Sequence, residues 1–174
     1  FEKFSDENSA LFFYMDSNVK NLYTRNKEIA DNVIPSSNSV MAHNLFDLGK
    51  LTSSDELIES AKQMVLEIAH NIEKNGAHFS NWARLVLKFM YPSYEIVIMG
   101  NESLSMAREI STVYNPQLLI CSSNSEEYLP LMKHRLKPEK TIIYKCINKT
   151  CDFPVYRVEK IMEQIKKPDH RHIQ

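Results

Sequence analysis

The sequence predicts a mixed α and α/β fold, with helical hairpins followed by a small three-stranded parallel α/β unit. Two observations predict it. Up to Pro92 the apolar residues recur at helical spacing in three successive segments, whereas after Pro92 they collect into short β-rich runs, YEIVIM, QLLIC and TIIYK, separated by helical stretches. Strands alternating with helices are most simply joined as βαβαβα with a parallel sheet. The expected boundaries are a helical segment with short N-terminal strands over 1–92, the α/β unit over 93–167, and a flexible tail over 168–174.

The chain of 174 residues is 43% hydrophobic and 25% charged, enough for one domain or two small layers. A net charge of -1 and a pI near 6.7 supply no basic field of the kind that nucleic acid or anionic membrane surfaces attract. No run reaches the roughly 20 apolar residues of a membrane span. Three cysteines form a sparse, odd set that argues against a disulfide scaffold and for a reducing, cytoplasmic setting. The chain starts at Phe1, inside an apolar and acidic stretch without a start signal, so a fragment of a longer protein is expected.

Taken in order, the aromatic cluster Phe4, Phe12, Phe13 and Tyr14 predicts a short strand or hairpin, and the acidic Ser5–Ser9 stretch reads as a solvated turn. It lacks the spaced carboxylates and glycine of a calcium loop. Pro35 then holds Ile34 out of the helical region, and a serine or Asn38 is placed to cap the first free amides. From Ser39 to about Leu51 the helix is apolar almost all round, which predicts burial on more than one face. Ser53 and Glu56 form a capping-box pattern for a second helix with a one-sided stripe from Leu57 to Ile72, ended by the αL-tolerant Asn75-Gly76. A third opens near Ser80 and stops at Pro92. The resulting order of inner, outer and inner helix is that of stacked helical hairpins. Beyond Pro92, strands are expected at Tyr94–Met99, Gln117–Cys121 and Thr141–Lys145, and helices near Ser103–Tyr114, Glu126–His134 and Val155–Lys167.

Three stretches carry a resemblance. KEIADNVIPSSNSVMAHNLFDLGKLT, from Lys27 to Thr52, resembles the pattern KExxDGxxPSGNSVAAxNLxxLxxLT of the spermatogenesis-associated, thioredoxin-domain-containing protein family. IVIMG at 96–100 is similar to that family's VVIxG strand, and Tyr144 through Val155 is similar to its closing YxCxxxTCxxPV segment. The resemblance covers the family's C-terminal portion. It implies a preceding thioredoxin-like domain and an (α/α)6 toroid like those of six-hairpin glycosidases and sugar 2-epimerases, of which this chain supplies the last hairpins. Asn32 and Ser37 replace two glycines of the pattern and remove easy φ > 0 geometry.

In such toroids ligands enter where inner-helix ends meet loops. The resemblance therefore makes Glu28 and Asp31 candidate acid and base for glycosidic or anomeric chemistry, with Ser36, Asn38, Ser39 and His43 as substrate contacts. The plain alternative is that the same residues are turn and cap chemistry, and that His43 is a hydrogen-bonded histidine between helices. Cys146 and Cys151 are read as packed thiols with occasional oxidation ahead of a disulfide or redox couple, because redox pairs favour C-x-x-C at a helix start. No second ligand pair for zinc accompanies them. Gly100–Ser103 and Ser122–Ser125 could line a phosphate crevice, but no glycine-rich fingerprint supports a nucleotide. No metal or cofactor is expected. The expected partners are a carbohydrate or a client protein, the thioredoxin-like domain of the same chain, and further copies of this fragment. The homo-oligomer follows from apolar flanks around Val40, Phe46, Trp82 and Phe89 that an incomplete ring would leave open. The readings are thus an enzyme of carbohydrate metabolism or a non-catalytic scaffold of a thiol-redox protein.

Overall fold

A computed structural model describes residues 2–19, 24–126, 129–137 and 139–166. The chain divides into two compact units, Phe1–Gly49 with Ser54–Leu87, and Lys50–Ser53 with Lys88–Gln174. Mixed helical and α/β architecture is observed, with a four-stranded mixed sheet. Among the described residues no helix is long and apolar enough to cross a membrane.

The helices are α1 (Ser37–Thr52), α2 (Asp55–Asn75) and α3 (Ser80–Met90). Along α1 the buried residues Asn38, Ser39, Ala42, His43, Leu45, Phe46 and Gly49 cover a wide arc, as its apolar circumference predicts. On α2 only Ala61, Met64 and Ile68 are buried, a single narrow stripe. The third helix departs from expectation: its sequence is apolar around most of its girth, yet only Asn81, Trp82 and Leu85 are buried, and Leu87 and Met90 stay exposed.

Helix junctions also differ in detail. Ser53 adopts φ 58° and terminates α1 in the left-handed region, so Ser54 becomes the cap of α2 and accepts from the Leu57 amide. An N-cap needs extended backbone, which Ser53 at φ 58° does not have and Ser54 at φ -92° and ψ 106° does. At the far end Gly76 stays right-handed at φ -47°, and the chain tightens into a short 3-10 turn, Gly76–His78.

No strand forms in the described part of residues 1–26, where an isolated bridge, Asp6 to Ser9, is found. Scattered backbone bonds such as Phe13 N–H to the Phe4 carbonyl do not build a ladder, and the backbone groups of Ala10 and Phe12 are taken by side chains. The Asn38 carboxamide accepts from the Phe12 amide at 2.7 Å and donates to the Phe12 carbonyl at 2.9 Å, and Glu67 accepts from the Ala10 amide at 2.7 Å.

The second unit contains β1 (Tyr94–Met99), α4 (Ser103–Ser111), β2 (Leu118–Ser123), β3 (Ile142–Ile147), β4 (Thr150–Cys151) and α5 (Val158–Lys166), with strand order β2-β1-β3-β4. All six residues of β1 are buried, as befits an unbroken apolar run in a central strand. Its alternate residues feed two cores. Tyr94, Ile96 and Ile98 join Ile110 of α4 and Ile161 of α5 on one face, while Val97 and Met99 join Leu131, Met132 and Cys146 on the other.

The all-parallel expectation is corrected here. β1 and β2 are parallel, joined through α4, but β3 runs antiparallel to β1. Among its described residues the helix expected over Glu126–His134 is not formed. Its described residues make turns around Pro130, whose ring and missing amide oppose a helix, and His134 sits at φ 60°. Without a crossover helix the chain re-enters the sheet from the end at which β2 leaves it, so β3 must oppose β1. The last helix begins at Val158 because Val155 is still bridged to Ile143. The expected tail, 168–174, lies outside the described residues.

Candidate functional site

The corner from Glu28 to Ser39 is built on hydrogen bonds between a loop and two helix starts. Ser36 precedes α1, its Oγ accepts from the Ser39 amide at 3.3 Å and its carbonyl accepts from Val40 at 3.0 Å, which makes it the N-cap. Asp31 is 5% exposed and its carboxylate is shared between elements. Its Oδ1 accepts from the Ser36 amide and from the Ser39 hydroxyl, both at 2.9 Å, while Oδ2 accepts from the Asn81 amide at 2.8 Å, inside the first turn of α3. One carboxylate therefore serves two helix N-termini, where free amides and the helix dipole favour an anion.

The remaining candidates sit around that carboxylate. Glu28 is exposed and its Oε2 accepts from the Ser37 amide at 3.0 Å, so Glu28 and Asp31 occupy consecutive amides at one helix mouth. Buried Asn38 ties the corner to Phe12 and also donates to the Glu28 carbonyl at 2.9 Å. His43 is buried, with Nε2 donating to the Asn81 carbonyl at 2.9 Å. The Asn81 side chain donates to Ser39 Oγ at 3.0 Å, and the Trp82 indole donates to the Ile29 carbonyl at 2.8 Å. Asn81 is not among the site residues expected from the sequence, where its only signal is the polar Ser80-Asn81 start of the third helix, and Trp82 is expected there only as part of an open apolar flank.

Of the expected open apolar flank, Phe46 and Trp82 are covered within the chain, Phe89 is partly covered, and Val40 is 42% exposed.

In the second unit, Cys146 and Cys151 are joined as a disulfide, where the spacing favoured two packed thiols. The two are opposite partners in the β3–β4 hairpin, whose connection, Asn148-Lys149, has φ 48° and 68°. That two-residue loop with both φ positive brings the cysteines face to face, a consequence of hairpin geometry that C-x4-C alone does not reveal. Arg135, which sequence reasoning passed over, donates from Nη1 to Cys146 Sγ at 3.0 Å and from Nη2 to Cys151 Sγ at 2.9 Å, and lies over the Tyr144 ring at 5.0 Å. The third cysteine, Cys121, is a buried free thiol whose pKa burial pushes up to about 11.

The two loops weighed as a phosphate crevice do meet. A cleft of about 520 Å³ is lined by Gly100, Asn101, Glu102, Asn124, Lys137 and Thr141 among others. Gly100 is needed at the crossing: it holds φ 131°, and a Cβ there would lie 2.7 Å from the Lys140 carbonyl oxygen. The Glu102 amide, the first available to an anion, already donates to Thr141 Oγ1 at 3.0 Å, and Glu102, Glu126 and Glu139 set negative charge against Lys137 and Lys140. No group of three or more potential metal-binding side chains occurs among the described residues. No family model, curated protein or solved structure matches this chain.

Proposed function

We propose that this chain is the C-terminal part of a thioredoxin-domain-containing protein with a six-hairpin-glycosidase-like body, and that it serves there as a non-catalytic scaffold for a partner or client. The observation that carries this reading is the engagement of buried Asp31 by the starts of α1 and α3. Its two oxygens take three donors from two helices, and a carboxylate so engaged is spent on holding the corner rather than on moving protons. The sequence resemblance supports the family, and the order of helices α1 to α3 is compatible with ring hairpins. Self-association of the fragment belongs to the same reading, since Val40, Leu48 and Leu87 are each more than two-fifths exposed.

A carbohydrate reading has one observation in its favour. Glu28 is exposed and anchored by one oxygen to the amide next to that held by Asp31, so it is the carboxylate available to a sugar hydroxyl or an anomeric centre. Epimerisation or hydrolysis would then use Glu28 as the reacting group, with Asp31 positioning its loop.

One experiment separates the readings. The intact protein, carrying its thioredoxin-like domain, is assayed for binding and turnover against a panel of aldoses and oligosaccharides, and a cysteine variant of that domain is used to trap clients. The scaffold reading expects a trapped client and no sugar response. Turnover that Glu28→Gln abolishes without loss of folding would replace it with the carbohydrate reading.

A further inference from the structure

We propose that the Cys146–Cys151 pair is a thiol–disulfide exchange site that accepts two electrons from an external dithiol, with Arg135 holding both sulfurs through the reaction. The geometry is a two-point fork: Nη1 lies 3.0 Å from Cys146 Sγ and Nη2 lies 2.9 Å from Cys151 Sγ. Disulfide sulfurs are weak acceptors, so a planar cation with both donors on sulfur gains little in the oxidised state. The same fork gains much more against two thiolates, because charge-assisted hydrogen bonds are stronger and a neighbouring arginine lowers thiol pKa. Arg135 is kept in place by the Tyr144 ring, independently of the sulfur oxidation state. The arrangement therefore favours the reduced form and makes the disulfide an oxidant.

Exposure gives the exchange a direction. Cys146 is fully buried, whereas Cys151, on the two-residue edge strand β4, is half-buried. An incoming thiolate reaches Cys151 Sγ and forms a new S–S bond there. The electron pair of the Cys146–Cys151 bond leaves with Cys146, which remains as a thiolate on Nη1. The second thiol of the reductant, once deprotonated, attacks its own sulfur in the mixed disulfide, closes the reductant's disulfide and releases Cys151 as a thiolate on Nη2. Two electrons pass to the protein, and the two protons of the dithiol go to solvent or to the new thiols. The inference stands apart from both readings of the Asp31 corner, since every atom it uses lies in the second unit.

The test uses the full 174-residue chain in dithiothreitol buffers of graded oxidised-to-reduced ratio, quenched by alkylation and mapped by peptide mass. Cys146 and Cys151 should gain label together and reversibly, with far-UV circular dichroism unchanged. With oxidised glutathione, Cys146→Ser should take up one glutathione at Cys151, and Cys151→Ser at least tenfold less at Cys146. Arg135→Gln should lower the reduction equilibrium constant about tenfold, equivalent to about 30 mV, and Arg135→Lys should recover part of it. Should Arg135→Gln fail to fold, the asymmetry between the two serine variants decides alone. Equal uptake by those variants, reduction only on unfolding, or an unchanged equilibrium constant in folded Arg135→Gln would overturn the proposal.

Discussion

Asp31 Oδ2 accepts the backbone amide of Asn81 at 2.8 Å, across 50 residues of sequence. Through its other oxygen the same side chain holds the Ser36 amide, so the loop before α1 and the first turn of α3 depend on one carboxylate. Asp31→Ala leaves buried donors at both helix starts without an acceptor and should destabilise the first unit by about 3 kcal/mol. Asp31→Asn, which keeps the shape and one acceptor, should cost about half as much. Exposed Glu28→Gln should stay within about 0.5 kcal/mol. Urea unfolding followed by the emission of Trp82, the only tryptophan, reads all three, because its indole is bonded to Ile29 in the same loop. Equal losses for Glu28→Gln and Asp31→Ala would remove the special role of Asp31.

Gly49 offers a test in which two principles oppose each other. In α1, glycine to alanine should gain up to about 1 kcal/mol of helix propensity. A Cβ at this position, however, would lie 2.6 Å from Ile58 Cγ1 and 2.9 Å from the Ser54 carbonyl oxygen. The isoleucine can rotate, but the carbonyl is backbone at the cap of α2, and overpacking of this kind costs about 1–3 kcal/mol. Gly49→Ala should therefore be destabilising by about 1–2 kcal/mol in the same Trp82 assay. Net stabilisation would mean that α1 and α2 separate at little cost.

Lys149 is the counter-case, where glycine is missing. Asn148 and Lys149 both occupy positive φ in the β3–β4 connection, and a side chain with a Cβ costs about 1–2 kcal/mol there. Lys149→Gly creates the Asn-Gly pair that such a turn prefers and should stabilise the second unit by about 1 kcal/mol in thermal unfolding. A lower melting temperature would show that interactions of the Lys149 side chain outweigh the turn.

Local signals were legible and long-range ones were not. The run YEIVIM announced a buried strand, the stripe on α2 announced its single buried face, and both are local periodicities. The direction of β3 was hidden because it depends on what the chain does between β2 and β3, where Pro130 and the left-handed His134 defeat a helix. At the Asp31 corner the residues were found but not their partners: nothing near Asp31 points to Asn81. The disulfide was underrated because C-x4-C carries no information about a turn with two positive φ angles. Arg135 had no pattern at all, since a lone arginine after a loop declares itself only when the sulfurs are placed beside it. Glu95, the one charge inside the run YEIVIM, is visible in the sequence but is not among the site residues expected from it.

That charge leads to a pH prediction. Glu95 is 1% exposed on the central strand, opposite Cys146 in register, with Oε2 unbonded and Lys50 Nζ 3.5 Å from Oε1. Burial raises its pKa, only partly offset by Lys50 and, farther away, by Arg135, while the Cys121 thiol nearby remains neutral. A carboxyl with a raised pKa in the folded state binds its proton more tightly there than in the unfolded chain. Its stabilising contribution is thus complete below the ordinary glutamate value of about 4.3 and is lost as pH climbs through the folded value. In Glu95→Gln nothing titrates at this position, so wild-type stability minus that of Glu95→Gln should fall with rising pH across this window and then level off. Lys50→Met withdraws the nearest cation, moves the folded value higher still, and should extend the fall to higher pH. Urea unfolding monitored by far-UV circular dichroism at half-unit pH steps measures the difference, and a rise with pH would mean that the ion pair with Lys50 outweighs desolvation on β1.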